Sequence, residues 1–363
     1  MNRYFWSAAL LSTWLMLGLA GCVHQPPAGN TGITPEDLLA ATLQPADFTR
    51  MVSDPQHWWP GFPRLNIRPA IGGPGCEAYA GRSFQKVADP AKARITTGLS
   101  LYCDPASAAA GMFSSTNTLE KGAVACDGPA VGESKRYFTR LSPENLCETA
   151  LRFRVGRVVG RVSVMIQGHY EEPATLARYA EPVVRKVQAL LDGKLHAEPF
   201  PQSHAKHMPS AQASARVGRL LGSAVIPVET LALVDISGQP LEVCERWHRL
   251  GIKQLGFRRY GVESIAGHVV ETTLFVFPDD QSAAARVEEF RKQAVKQGLL
   301  APGRLGALSA YTRNGDGSYY LQFAKGRYVA DLLCYAPFLK VEPSAEPIVR
   351  KFAERWFAEL PVR

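Results

Sequence analysis

The chain has 363 residues and a formal charge of +8, enough length for two domains of ordinary size. A basic surplus suits an anionic neighbourhood such as phospholipid headgroups or acidic wall polymers. The charges are scattered, however, and no nucleic-acid motif accompanies them, so a generally basic surface is the plainer reading and nucleic acid is excluded as a partner. Beyond the first 22 residues no segment is apolar enough to span a bilayer.

The opening stretch, "MNRYFWSAALLSTWLMLGLAGC", reads as an export signal. Arg3 supplies a basic start, and Phe5 to Ala20 form an apolar run shorter than the roughly 20 residues of a membrane-spanning helix. It ends in Leu19-Ala20-Gly21-Cys22, which resembles the lipobox of bacterial lipoproteins. The resemblance implies a signal peptide over 1–21, cleavage before Cys22 and acylation of Cys22, with palmitate among the chains. Two or three acyl chains, at about 0.8 kcal/mol per buried methylene, anchor a protein durably. The same resemblance implies the outer membrane where the host has two membranes, because Val23 rather than Asp follows the cysteine. An ordinary secretory signal with an incidental cysteine is the alternative. Residues 22–36, polar and rich in Pro and Gly, read as a tether.

The rest of the chain is written twice. "AEPVVRKV" at 180–187 returns as "AEPIVRKF" at 345–352. Upstream, Leu151, Phe153, Gly156, Arg157 and Val159 match Leu321, Phe323, Gly326, Arg327 and Val329, while Gly132 and Tyr137 match Gly306 and Tyr311. "LSLYCDPASAAA" at 99–110 lies against "LFVFPDDQSAAA" at 274–285. The spacing between copies changes only between these blocks, as in a duplicated domain whose loops have changed length. The boundaries expected are 37–195 for the first repeat, 196–216 for a polar linker and 217–363 for the second repeat.

Within each copy the elements follow in order. Residues 76–87 and 92–103 read as a hairpin, its second strand rich in β-formers. Asp104-Pro105 supply an N-cap and first-turn proline for a helix, and Asp279 or Asp280 does so in copy two, where the helix stops near Gly298. A strand near 133–141 and a hairpin of 148–155 with 157–167 come next, turning at Gly156. The repeated octamer belongs to an amphipathic closing helix, with Pro182 and Pro347 at a first turn or a kink. "NGDGS" before the second hairpin reads as a tight turn, since the twelfth position of a calcium loop is taken by Lys325. The fold class is α+β: two tandem homologous domains, each an antiparallel sheet with helices packed on one face.

Six cysteines remain after lipidation, an even number that fits three disulfides in an exported protein. No C-x-x-C pair points to zinc or redox work. If "ADPA" at 88–91 turns the first hairpin, Cys76 falls opposite Cys103. Confining bridges within copies then leaves three arrangements, of which Cys76–Cys103, Cys126–Cys147 and Cys244–Cys334 is preferred.

"LYCDPASAAAGMF", "ACDGP" and "LCETALRFRVGRVVGRVSV" together resemble the extracellular sensor domain of mycobacterial-type receptor kinases and related secreted lipoproteins. The resemblance covers copy one and implies recognition of an envelope ligand without catalysis. It carries no functional residue over.

No G-x-S-x-G, H-E-x-x-H or G-x-x-x-x-G-K-[ST] signature is present, and no cofactor is expected. "HWWPGFPR" at 57–64 offers Trp58 and Trp59 as an aromatic platform for a glycan or peptide, with His57 and Arg64 as polar contacts; packing is the duller use of the same rings. His196, His204, His207 and Met208 would suit a soft metal, but a linker is a poor scaffold, so no metal is assigned. The function expected is a lipid-anchored envelope protein that binds, senses or scaffolds without catalysis, using the groove between its copies. The alternatives are an exported hydrolase with a site assembled between the repeats and an assembly subunit with an exposed apolar patch. The oligomeric state is not legible.

Overall fold

The computed structural model describes residues 32–52, 54–67, 73–87, 93–113, 122–142, 145–215, 217–233, 239–296, 309–313, 317–336 and 341–361. The signal stretch, the Cys22 anchor, most of the tether and Asn314–Asp316 of the "NGDGS" turn lie outside them. The chain divides into two units, one ending at Glu198 and the other beginning at Pro199. Among the described residues no helix is long and apolar enough to cross a membrane.

The first unit opens with α1 (Pro35–Ala41) and α2 (Pro45–Phe48), then β1 (Trp58–Pro60), β2 (Arg64–Ile67), β3 (Cys76–Lys86) and β4 (Ala93–Tyr102). After α3 (Pro105–Met112) come β5 (Val124–Cys126), β6 (Ser134–Leu141), β7 (Cys147–Val155), β8 (Val158–Ile166) and α4 (Pro173–Leu191). The sheet is antiparallel throughout, in the order β1-β3-β4-β8-β7-β6-β5, with β2 also on β3. The expected cap is present: Ser107 N donates to Asp104 Oδ1 at 2.7 Å. Hydrogen bonds from Ser107 and Cys103 hold the Asp104 carboxyl down at about 2, as a helix N-terminus favours.

The second unit has α5 (Gln202–Ala205), α6 (Ala211–Ser214), β9 (Leu220–Pro227), α7 (Val228–Ala232), α8 (Pro240–Arg249), β10 (Gln254–Gly261) and β11 (Val269–Val276). It continues with α9 (Asp280–Lys296), β12 (Ser309–Arg313), β13 (Tyr319–Lys325), β14 (Tyr328–Tyr335) and α10 (Ala345–Glu359). Its sheet is again antiparallel, ordered β12-β13-β14-β11-β10-β9.

Five strands therefore follow one path in both units: β3-β4-β8-β7-β6 and β10-β11-β14-β13-β12. The registers agree residue by residue with the sequence blocks. Tyr137 pairs with Leu151 as Tyr311 pairs with Leu321, and Leu99 pairs with Gly160 as Leu274 pairs with Ala330. Each β-hairpin turns on Gly-Arg, with Gly156 at φ +54° and Gly326 at φ +55°. A two-residue loop with positive φ first demands glycine there. The α+β architecture of two like sheets is thus as expected.

The closing helix covers one face of each sheet, and α3 in the first unit and α8 with α9 in the second cover the other, so helices lie on both faces and not on one as expected. In the first unit Thr149 Oγ1 donates to Glu171 O, just before α4, at 2.8 Å. Arg152, on the opposite face by strand alternation, donates to Gly111 O of α3 at 3.1 Å. In the second unit Val349, Phe352 and Trp356 of α10 pack on Leu274, Leu321, Phe323 and Leu332. Each such side chain contributes roughly 1.5–3 kcal/mol of burial. The two octamers start differently: Pro182 lies inside α4, whereas Pro347 sits in the first turn of α10. One repeat thus uses each position that a proline tolerates.

The polar stretch is folded over 196–215, contrary to the linker reading. Met208 and Ala213 are buried in the same core as Trp356, and the Trp356 indole N–H donates to His207 O at 2.8 Å. A few apolar side chains spaced among polar ones suffice to dock a short segment without regular periodicity.

The disulfide expectation is also corrected, since the six described cysteines are free thiols. Cys76 pairs with Tyr102, while Cys103 N donates to Gly75 O at 2.9 Å, so the register is one residue away from a Cys76–Cys103 pair. Cys126 lies opposite Tyr137 and Cys147 opposite Leu141, on either side of β6. Four residues along and two strands across amount to roughly 16 Å at strand spacings, beyond the ~7 Å reach of a disulfide. Cys334 sits in the α10-side core, but Cys244 belongs to α8, whose Trp247 stacks on Phe275 of the opposite face at 5.2 Å.

One buried charge cluster marks the first unit. Glu148 is fully buried, and its two oxygens accept from Arg140 Nε at 2.5 Å and Arg161 Nη2 at 2.6 Å. Burial pushes its carboxyl upward, and the two guanidinium groups override that, leaving it below the ordinary glutamate value. The register pair Arg152–Arg161 beside it is occupied in the second unit by Gln322–Asp331, hydrogen-bonded at 2.8 Å.

Candidate functional site

The residues that combine concavity, charge and potential ligand atoms lie around α8 in the second unit. Pro240 at its start, Glu242 in the first turn and Arg246, His248 and Arg249 in the last turn all suit the helix ends. Val243, Cys244 and Trp247 form its buried stripe. On the neighbouring helix Asp279 caps α9, accepting from Ser282 N at 2.7 Å.

Between α8 and α9 lies a cavity of about 480 Å³. Trp247, Leu250, Phe277 and Ala285 give it apolar walls, and Arg246, Arg249, Arg286 and Glu289 give it charge. Arg246 Nη1 donates to Glu289 at 2.9 Å, and Arg286 Nη1 is 3.9 Å from the same carboxylate. The Arg286 guanidinium also lies 4.9 Å from the Trp247 ring centre, within cation–π range. Arg246 and Arg286 thus converge on Glu289, and Arg249 lines the same cavity. The Trp247 indole N–H is buried and has no partner among the described residues, an uncommon state for a buried donor. The arrangement can hold an anionic group beside an apolar body.

The adjoining face of α8 carries a second cluster. Cys244 and His248, one helical turn apart, share a face, with Sγ 4.0 Å from Nδ1. His248 Nε2 is 3.8 Å from Glu229 Oε1 on α7. Burial pushes the Cys244 thiol up to about 11, with the negative charges of Glu229 and Glu245 adding to it. Among the described residues this trio is the group of three that brings potential metal ligands within reach of one ion. The spacing Cys-x-x-x-His is legible in the sequence; its closure by Glu229 is not, because α7 is a single turn without a periodic signal.

The platform residues are separated. Trp58 and Trp59 are consecutive in β1 and so point to opposite sides. Trp58 packs toward Phe48 at 6.1 Å between ring centres, and the Trp59 indole N–H donates to Gln56 O at 3.1 Å. His57 is exposed, 3.7 Å from Asp54, which also holds Lys86 at 3.0 Å. Arg64 pairs with Gly81, six residues along β3 from Val87, whose N–H donates to His57 O. That distance is about 20 Å of strand. The histidines of 196–216 do not converge either. His204 is buried, and burial lowers its pKa. His207 Nε2 is bonded to Tyr328 Oη at 3.1 Å, and His196 is at the surface.

No family model matches the chain, and no curated protein matches it. Solved structures that match include the extracellular domain of PknH from Mycobacterium tuberculosis, at 14% identity and a TM-score of 0.34. The match covers 43% of this chain and 97% of that one.

Proposed function

We propose that this chain is a lipid-anchored protein of the cell envelope, held through Cys22 outside the cytoplasm, that binds an anionic ligand with an apolar body without catalysis. The α8–α9 cavity carries this reading: the Trp247 indole, without a partner among the described residues, its aromatic neighbour Phe277, and Arg246, Arg249, Arg286 and Glu289 line one opening. Such a mix of apolar walls and a few placed polar groups is the composition of small-molecule sites. The anchor rests on the Leu19-Ala20-Gly21-Cys22 pattern, and the outer membrane is its destination where the host has two.

The test is calorimetric titration with dodecyl phosphate, using dodecanol as the uncharged control. Ala285→Trp, at an exposed wall position, fills the cavity, and Arg249→Glu reverses charge at its rim. Each weakens dodecyl phosphate by roughly tenfold, about 1.4 kcal/mol. Equal binding of dodecanol, or no effect of either variant, refutes the site.

A second reading, an exported hydrolase, draws on the order Cys244–His248–Glu229, which places a thiol, a base and an orienting carboxylate in sequence. Against it, a nucleophilic cysteine has a depressed pKa, and this thiol is buried and raised. Ester hydrolysis that disappears in Cys244→Ser would favour the hydrolase.

A further inference from the structure

Glu229, Cys244 and His248 offer a carboxylate oxygen, a sulfur and an imidazole nitrogen whose atoms all lie within 4.8 Å of one another. Tetrahedral zinc, with bonds of about 2.3 Å to sulfur and about 2.0–2.1 Å to nitrogen and oxygen, sets its ligand atoms roughly 3.3–3.6 Å apart. The observed spacings of 4.0 and 3.8 Å are measured to different ring nitrogens, and one nitrogen serves one ion. Through a single nitrogen the three ligand atoms lie within 4.8 Å of one another, so closing on zinc takes a contraction of up to roughly 1.5 Å. The His248 side chain is about half exposed, so its ring can turn without disturbing the core.

Burial grades across the trio, from the buried Cys244 through the half-buried Glu229 to the exposed His248. The cluster is thus fixed at its thiol end and open to solvent at its histidine end. The thiolate and carboxylate together balance a divalent charge, and Glu245 adds negative potential.

We propose that Glu229, Cys244 and His248 form a zinc-type divalent metal site on the α7–α8 surface, with three protein ligands and a fourth position open to water. Sulfur and nitrogen donors select a borderline ion over magnesium or calcium. On binding, the Cys244 thiol releases its proton to solvent as the sulfur–metal bond forms. The site lies on a different face of α8 from the proposed ligand cavity, and its test does not depend on that cavity.

The full-length protein in detergent, stripped with chelator, is titrated with Co²⁺ as a spectroscopic stand-in. The expected result is a sulfur-to-cobalt charge-transfer band that saturates at one equivalent and is displaced by Zn²⁺ but not by Mg²⁺. Cys244→Ser removes the band. Glu229→Gln and His248→Gln each weaken Co²⁺ by at least roughly tenfold, the scale on which even outer-shell changes act. His248→Gln alters a surface side chain and leaves the core intact, so it decides the question even where Cys244→Ser fails to fold. Absence of the band, its survival in Cys244→Ser, or unchanged affinity in His248→Gln overturns the proposal.

Discussion

Replacing Glu148 by Gln tests how the first unit holds its buried charge. The carboxylate is fully buried and accepts at 2.5 and 2.6 Å from two guanidinium groups whose side chains are only 10% and 18% exposed. Glutamine keeps the shape and one acceptor, but it turns an N–H toward a guanidinium and leaves two cations without their anion. Arg152, directly opposite Arg161 in register, adds like charge to that deficit. Breaking a buried pair costs about 3–5 kcal/mol, and losing one charge-assisted hydrogen bond accounts for about 1.5–3 kcal/mol of it. The expected destabilisation at neutral pH is about 3 kcal/mol. Because the folded carboxyl lies below its ordinary value of 4.5, its contribution is complete above that value. It is lost as the pH falls through the lowered folded value, so the gap between wild type and Glu148→Gln narrows in acid. Two units need not unfold together, so the assay is hydrogen exchange resolved by peptide: β6–β8 lose protection while β13–β14 keep theirs. A loss below about 1 kcal/mol at neutral pH, well under the cost of a broken buried pair, or a gap that widens in acid, refutes the reasoning.

The thiols give a second prediction. Burial raises Cys76 to about 12 and Cys244 and Cys334 to about 11, so at neutral pH they are protonated and react slowly with iodoacetamide. The half-buried Cys103 and Cys147 label first; rapid neutral-pH labelling of Cys244 by mass spectrometry contradicts its burial. Trp356→Ala removes a fully buried side chain, costing about 3–5 kcal/mol, and also deletes the donor to His207 O. The amides of Lys206, His207 and Met208 should then exchange with the helix; unchanged protection would mean that the segment holds itself.

The duplication was legible because repetition survives loop changes: Leu151, Phe153 and Gly156 recur as Leu321, Phe323 and Gly326, and their registers coincide. The helix starts at Asp104 and Asp279 were legible as well, since capping is a local exchange between one side chain and one amide. Cysteine pairing was not. Parity says that bridges can form, but register and sheet face decide whether two sulfurs meet, and a shift of one residue at Cys103 separates them. The docking of 196–215 has no such local signature, because its buried apolar side chains, Met208 and Ala213, are too sparse to show a period.

Sequence alone determined the α+β class and the doubling, both of which are written in neighbouring residues or in long repeats. Tertiary structure decided the candidate site. Trp247 lines a cavity only once α9 packs beside α8, and Glu229 comes within reach of Cys244 and His248 only once α7 folds against them. Chemistry of that kind depends on distances between side chains far apart in the chain, and no local pattern encodes them.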